Sequence, residues 1–197
     1  RVLFRSIRGT LDILRPYMGH VLQPILVENS HNPCEGTTLL DTFGIPVVYT
    51  KPLQSNETMQ WRNKGVYEWL ELLAVIQQYS IRPSDLIVKL TGRYRLLSSA
   101  FLDQLIATQA DADVWMKFYN VSAKTWDETD GIMGCFAMRA MYIGLLSVYE
   151  LNRYDSAEKA VVAYIRQMIP SSRICAVMSL EIECVFAEEK EQCPVIL

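Results

Sequence analysis

Short apolar runs alternate along this chain with stretches of helical periodicity, and that alternation restricts the fold more than any other feature. Residues 24–27, 45–49, 86–90 and 114–119 are runs of strand length, rich in β-branched and aromatic residues. Before the first run, Leu3, Phe4, Ile7, Leu11 and Leu14 recur at helical spacing, and Pro16 and Gly19 end that stretch. From Asn63-Lys64-Gly65 onward, Val66, Trp69, Leu70, Leu73 and Ile76 form a second helical stripe, with Glu68 and Glu71 expected to face outward. Ser98 or Ser99 can cap a helix over 100–107, and Ser156 can cap another over 157–168, closed by Pro170. Residues 132–138 suggest a strand or buried turn, 142–151 a helix, and 174–178 with 180–186 a final strand or hairpin. Strands alternating with helices predict an α/β domain with a mainly parallel mixed sheet covered on both faces, a three-layer α/β/α sandwich.

A chain of 197 residues suits one such domain, large enough to bury a core without disulfides or metals. No internal repeat or linker divides it. The formal net charge of -3 sets it apart from general nucleic-acid binders, which carry a basic bias. Five cysteines form no CxxC pair and only two histidines are present, so there is no zinc signature. Scattered thiols in odd number suit a reducing compartment. With no apolar run of transmembrane length and no signal peptide, a cytoplasmic location is expected. The chain opens on Arg1 and not on methionine, and on a helix where an α/β domain usually opens on a strand. A strand upstream of Arg1 is therefore expected.

The most informative stretch is SDLIVKLTGRYRL, residues 84–96. An apolar strand with one lysine, Lys89, runs into Thr91-Gly92-Arg93-Tyr94. Gly92 permits a sharp turn or a close approach to a ligand. Lys89, Arg93 and Arg95 place three cations near the strand end, beside the ring of Tyr94. In open α/β sheets ligands bind at the carboxyl ends of strands, so this is a candidate anion site, with phosphate foremost. The alternative is that Lys89 and Arg93 pair with carboxylates at the edge of the core and Gly92 merely turns the chain.

Three other places invite comparison with it. The run at 24–27 stops at Glu28-Asn29-Ser30, where Glu28 can accept from a ribose hydroxyl or cap the next helix. Asn63, Lys64 and Gly65 open a helix, whose free N–H groups and dipole favour an anion; the alternative is a solvated helix start. Asp111-Ala112-Asp113 spells Asp-x-Asp, which can hold a metal or cap a turn and strand.

Taken in order, these pieces resemble the nucleotide-sugar-binding half of glycosyltransferases with the GT-A fold. In that family a strand typically ends Asp-Asn-Gly-Ser, here Glu28-Asn29-Ser30, and an Asn-x-Gly starts the helix beside the donor, here Asn63-Lys64-Gly65. The next strand usually ends in Asp-x-Asp, which holds a divalent metal on the sugar diphosphate. This chain has Leu90-Thr91-Gly92-Arg93-Tyr94 there, a Lys-x-Thr-Gly-Arg-Tyr ending that looks like one in viral and bacterial glycosyltransferase-like proteins. The family also begins with a strand that this chain lacks. Asp111 and Asp113 stand at the start of the following strand, outside the family's metal position.

The resemblance implies a single domain over 1–197, with a donor half (1–96), an acceptor half (97–187) and a tail (188–197). It implies transfer of a sugar from a nucleotide-diphosphate donor, UDP-linked by preference, to a hydroxyl on a glycan, lipid or protein. Glu28, Asn29, Asn63, Lys64, Gly65, Lys89, Gly92, Arg93 and Tyr94 would bind the donor. Charge on the departing diphosphate can be met by Mn2+ or Mg2+ or by Lys and Arg side chains. Inverting members usually carry an acid at the start of a late helix, so Glu158 or Asp155 is the expected general base, although both acids also stabilise a helix start. Arg139 and Trp126 are further cleft candidates. Two other readings share the fold: a nucleotide-sugar-binding domain without catalysis, and a nucleotidyltransferase.

Overall fold

The structure is a computed structural model that describes residues 2–29, 38–50, 61, 63–92, 94–184 and 195–196. Helix α1 (Val2–Leu14) is followed by a 3-10 turn, Arg15–Tyr17, that carries Pro16 in its first turn. Among the side chains described on this helix, Ser6 and Thr10 are buried, while Ile7, Leu11 and Leu14 are half-buried. The Leu96 N–H donates to the Thr10 hydroxyl at 3.2 Å, so a polar side chain meets a backbone demand there.

Strands β1 (Leu26–Glu28) and β2 (Val47–Tyr49) pair in parallel as a two-stranded sheet. Helix α2 (Gly65–Gln78) leads to β3 (Leu86–Leu90), and β4 (Tyr94–Leu96) follows after a tight turn. Then come α3 (Ala100–Thr108), β5 (Val114–Met116) and β6 (Cys135–Arg139). The expected helix over 142–151 is instead two, α4 (Ala140–Leu145) and α5 (Val148–Arg153), divided at Ser147, whose side chain caps the Tyr149 N–H at 3.3 Å. Helix α6 (Ala157–Met168), β7 (Ile174–Ala176), β8 (Ile182–Cys184) and β9 (Val195–Ile196) complete the order.

The largest sheet runs β3-β6-β5-β7, and β4-β8-β9 form a third, antiparallel sheet. The protein is therefore a mixed α/β structure with several sheets. A parallel majority does not hold among the described strands, where only β1–β2 and β5–β7 are parallel. The cause is β6, which returns antiparallel between β3 and β5, together with β8, which pairs antiparallel with both β4 and β9. Nor do β7 and β8 form a hairpin: β7 joins β5 and β8 joins β4. Val195–Ile196, placed in the tail by sequence, pairs with β8.

Side-chain alternation along β5 and β6 builds a core on each face. Val114, Met116, Phe136 and Met138 join Val66, Trp69, Ile143, Leu151, Val161 and Ile165 from the helices on one side. Trp115, Cys135 and Ala137 join Phe101, Leu105, Leu180 and Ile182 on the other. In β3 the same alternation sends Ile87 to the first core and Leu86, Val88 and Leu90 to the second. Lys89 shares its face with Ile87, beneath α2.

Candidate functional site

A lysine on that face must be paired, because an isolated buried ammonium is costly. Lys89, 9% exposed, donates to the Glu68 carboxylate in the first turn of α2 and to the Met133 carbonyl at 2.7 Å. One ammonium thus joins the carboxyl end of β3, the start of α2 and the segment before β6. Beyond it, the Thr91 N–H donates to the Gly134 carbonyl at 2.8 Å, and the Tyr94 N–H to the Thr91 carbonyl at 2.9 Å, closing a four-residue turn. A Cβ at Gly134 would overlap the Tyr94 ring, so the ring lies flat on bare backbone there. Gly92 is exposed in the turn, and Arg93 lies outside the described residues, as does Ser30.

At the start of α2 the Asn63 carboxamide oxygen accepts from the Gly65 N–H at 2.9 Å, and the Asn63 N–H donates to Asn152 Oδ1 at 3.4 Å. Asn63 is 9% exposed, and its Nδ2 has no hydrogen-bond partner among the described residues. Gly65 is required for packing: a Cβ there would overlap that of Ala157, the first residue of α6. Two helix starts therefore touch, one from each half of the chain. Lys64 is exposed beside them.

The carboxyl end of β1 belongs to the same neighbourhood. Asn29 Nδ2 donates to Glu71 Oε1 at 2.7 Å, and the Glu28 carbonyl accepts from the Thr50 N–H at 2.9 Å. Glu68 and Glu71, expected to face solvent, instead reach β3 and β1 from one face of α2. Glu68 is a site residue that pattern reading misses. Its signal was Lys89 itself, since a lysine in a buried strand requires a carboxylate partner.

At the start of α6 the Ser156 hydroxyl accepts from the Lys159 N–H at 3.3 Å and donates to Glu158 Oε2 at 2.8 Å. Glu158 and Asp155 are both exposed at this helix start. Between them and the sheet lies Asp130, which sequence reasoning did not single out; its Oδ1 accepts from the Gly131 N–H at 2.8 Å. Burial raises its carboxyl above the ordinary range, and the negative charges of Glu158 and Asp127 push the same way. Gly131 allows the chain to pass close to α6: a Cβ there would stand 2.8 Å from Met116 Sδ and 2.9 Å from Val162 Cγ2.

Asp111 and Asp113 sit at the far end of the four-stranded sheet from Leu90. Asp111 is exposed. The Asp113 carboxylate is occupied by Arg173, at 3.1 Å from Nε and 2.6 Å from Nη2, and Arg139 Nε approaches it to 3.7 Å. Hydrogen bonds from Arg173 hold its carboxyl below the usual carboxylate range. Arg139 also donates to the carbonyls of Ser84 and Gln109, so it ties these segments together at the same end of the sheet as Asp113. At the end of β3 the described residues do not fit a divalent cation either. Thr91 to Tyr94 contain no carboxylate, Glu68 is committed to Lys89, and among the described residues no three His, Cys, Asp or Glu side chains are grouped to hold a metal.

No helix among the described residues is long and apolar enough to cross a membrane. No family model matches the chain, and no curated protein matches it. Among solved structures it is similar to the crystal structure of A197 from STIV, at 12% identity and a TM-score of 0.45, over 82% of this chain and 84% of that one.

Proposed function

We propose that this chain is a glycosyltransferase of the GT-A type that moves a sugar from a nucleotide-diphosphate donor, UDP-linked by preference, to a hydroxyl acceptor. One observation carries the reading. The start of α2, which carries Asn63, Lys64 and Gly65, touches the start of α6, next to Glu158 and Asp155, through Gly65 and Ala157, and Glu68 in the first turn of α2 holds Lys89.

In this reading the diphosphate lies over the Thr91–Tyr94 turn. The charge of Lys89 is largely matched by Glu68, so Arg93 is the principal cation for the departing diphosphate, suited to bidentate contact. Asn63 Nδ2, a donor without a partner among the described residues, offers such a ligand a hydrogen bond. Glu158 or Asp155 takes the proton of the acceptor hydroxyl as the bond to the sugar forms. Calorimetric titration with UDP tests the donor site: Arg93→Ala should weaken binding, and an unchanged affinity removes the claim. Repeating the titration with EDTA and with added Mn2+ or Mg2+ separates cation-assisted from side-chain-assisted binding. A second reading, binding without transfer, is favoured by the absence of any carboxylate in Thr91–Tyr94; it predicts UDP binding with no turnover of a UDP-sugar.

A further inference from the structure

The chain has four tryptophans; Trp69 and Trp115 are fully buried, whereas Trp126 is 42% exposed. Its exposure does not come from a slack loop. Just before it, Asn120 and Thr125 exchange backbone hydrogen bonds, at 2.9 and 3.4 Å, and Asn120 Oδ1 accepts from the Ala123 N–H at 2.9 Å. Just after it, Asp127 Oδ1 accepts from the Thr129 N–H and hydroxyl at 2.9 and 2.7 Å. Beneath it the indole meets the edge of Phe118 at 6.0 Å, and the Arg166 guanidinium covers Phe118 at 4.8 Å. This is a rigid aromatic plate offered to solvent.

Its surroundings define what would sit on it. Asp127 and Asp130 follow in the chain, and Glu158 and Lys159 at the start of α6 are close enough to act on them electrostatically. Asp130 uses Oδ1 for the Gly131 N–H, and Glu158 uses Oε2 for the Ser156 hydroxyl, so each carboxylate retains a second oxygen as an acceptor. An exposed indole, followed closely in the chain by carboxylates, matches a pyranose ring, which has an apolar face and hydroxyls at its rim. A lipid chain would need a larger continuous apolar patch. An anionic acceptor would meet Asp127, Asp130 and Glu158 with Lys159, while Arg166 is paired with Glu128 at 3.5 Å.

We propose that the acceptor is a neutral glycan, with a sugar ring stacked on Trp126 and a hydroxyl donating to the second carboxylate oxygen of Asp130. The proposal rests on the glycosyltransferase reading for the word acceptor, but the binding itself is tested without donor. Maltose, cellobiose, lactose and mannobiose are titrated into the full chain by calorimetry and by saturation-transfer NMR. At least one should bind, with Trp126→Ala weakening it on the order of tenfold, Trp126→Phe retaining most of it, and Asp130→Asn weakening it several-fold. Thermal melts establish that each variant is folded. Absence of binding by all four sugars, equal affinity in wild type and Trp126→Ala, or preference for a lysine-rich peptide over every sugar overturns the proposal. UDP titration of the same samples keeps the two claims apart: UDP binding without sugar binding rejects the glycan subsite alone, and sugar binding without UDP binding rejects the donor site alone.

Discussion

Lys89, the fourth residue of a five-residue apolar strand, is bonded to Glu68, in the first turn of the helix that precedes that strand. The pair anchors α2 to β3, and the remaining Lys89 contact, to the Met133 carbonyl, anchors β6's approach to both.

Removing one member should cost more than removing both. Glu68→Gln or Glu68→Ala leaves an ammonium nearly out of solvent with only a carbonyl, and should lower stability by about 1–3 kcal/mol, discounted because Glu68 is itself partly exposed. The double variant Lys89→Met with Glu68→Gln should recover part of that loss. Urea denaturation in a double-mutant cycle measures the coupling; purely additive losses would show that the pair is not the anchor.

Tyr94 and Gly134 give a second coupled pair. Gly134→Ala drives a Cβ into the tyrosine ring and should destabilise by about 1–3 kcal/mol, as overpacking does. In a Tyr94→Ala background the same substitution should cost little. If Gly134→Ala costs the same in both backgrounds, the ring does not lie on Gly134.

Gly65→Ala should separate the two helix starts, since the added methyl meets Ala157. We expect lower stability and weaker UDP binding together, both partly restored by Ala157→Gly. Restoration of stability without any recovery of UDP affinity would place the nucleotide elsewhere.

Asp113 predicts a pH dependence. Arg173 holds its carboxyl low in the folded state, so it favours folding above the unfolded aspartate value of about 3.9, and that contribution disappears as pH falls through the lower folded value. Asp113→Asn should therefore be less stable than wild type at pH 6, with the difference narrowing towards pH 3. Denaturant midpoints across this range measure it, and a gap that stays constant with pH would sink the assignment.

Much of this was legible in the sequence because it depends on local pattern. The extent of β3, the Ser156 cap with the helix after it, and the start of α3 follow from apolar runs and capping residues. What could not be read is what depends on partners distant in the chain. Glu68 and Glu71 lie on the polar side of the helical stripe, and only the positions of β1 and β3 turn that side inward. Asp130 gains its character from burial beside α6, not from its neighbours in sequence. The Asp-x-Asp pattern at 111–113 misleads for the same reason, since Arg173, sixty residues on, claims Asp113. The parallel expectation failed at β6, whose direction is fixed by pairing with β3 and β5 and not by its own residues.

The division of the strands into three sheets has a kinetic corollary. β1 and β2 share no ladder with β5 and β6, and they are held to the remainder by side chains and α2, whereas β5 is paired on both sides and buried on both faces. Amide protons of Val114 to Met116 should exchange with deuterium only through global unfolding, and those of Leu26 to Glu28 through a smaller, earlier opening. Because β5 pairs with β7 across some sixty residues of sequence, that last-opening unit is also one whose assembly must wait for most of the chain.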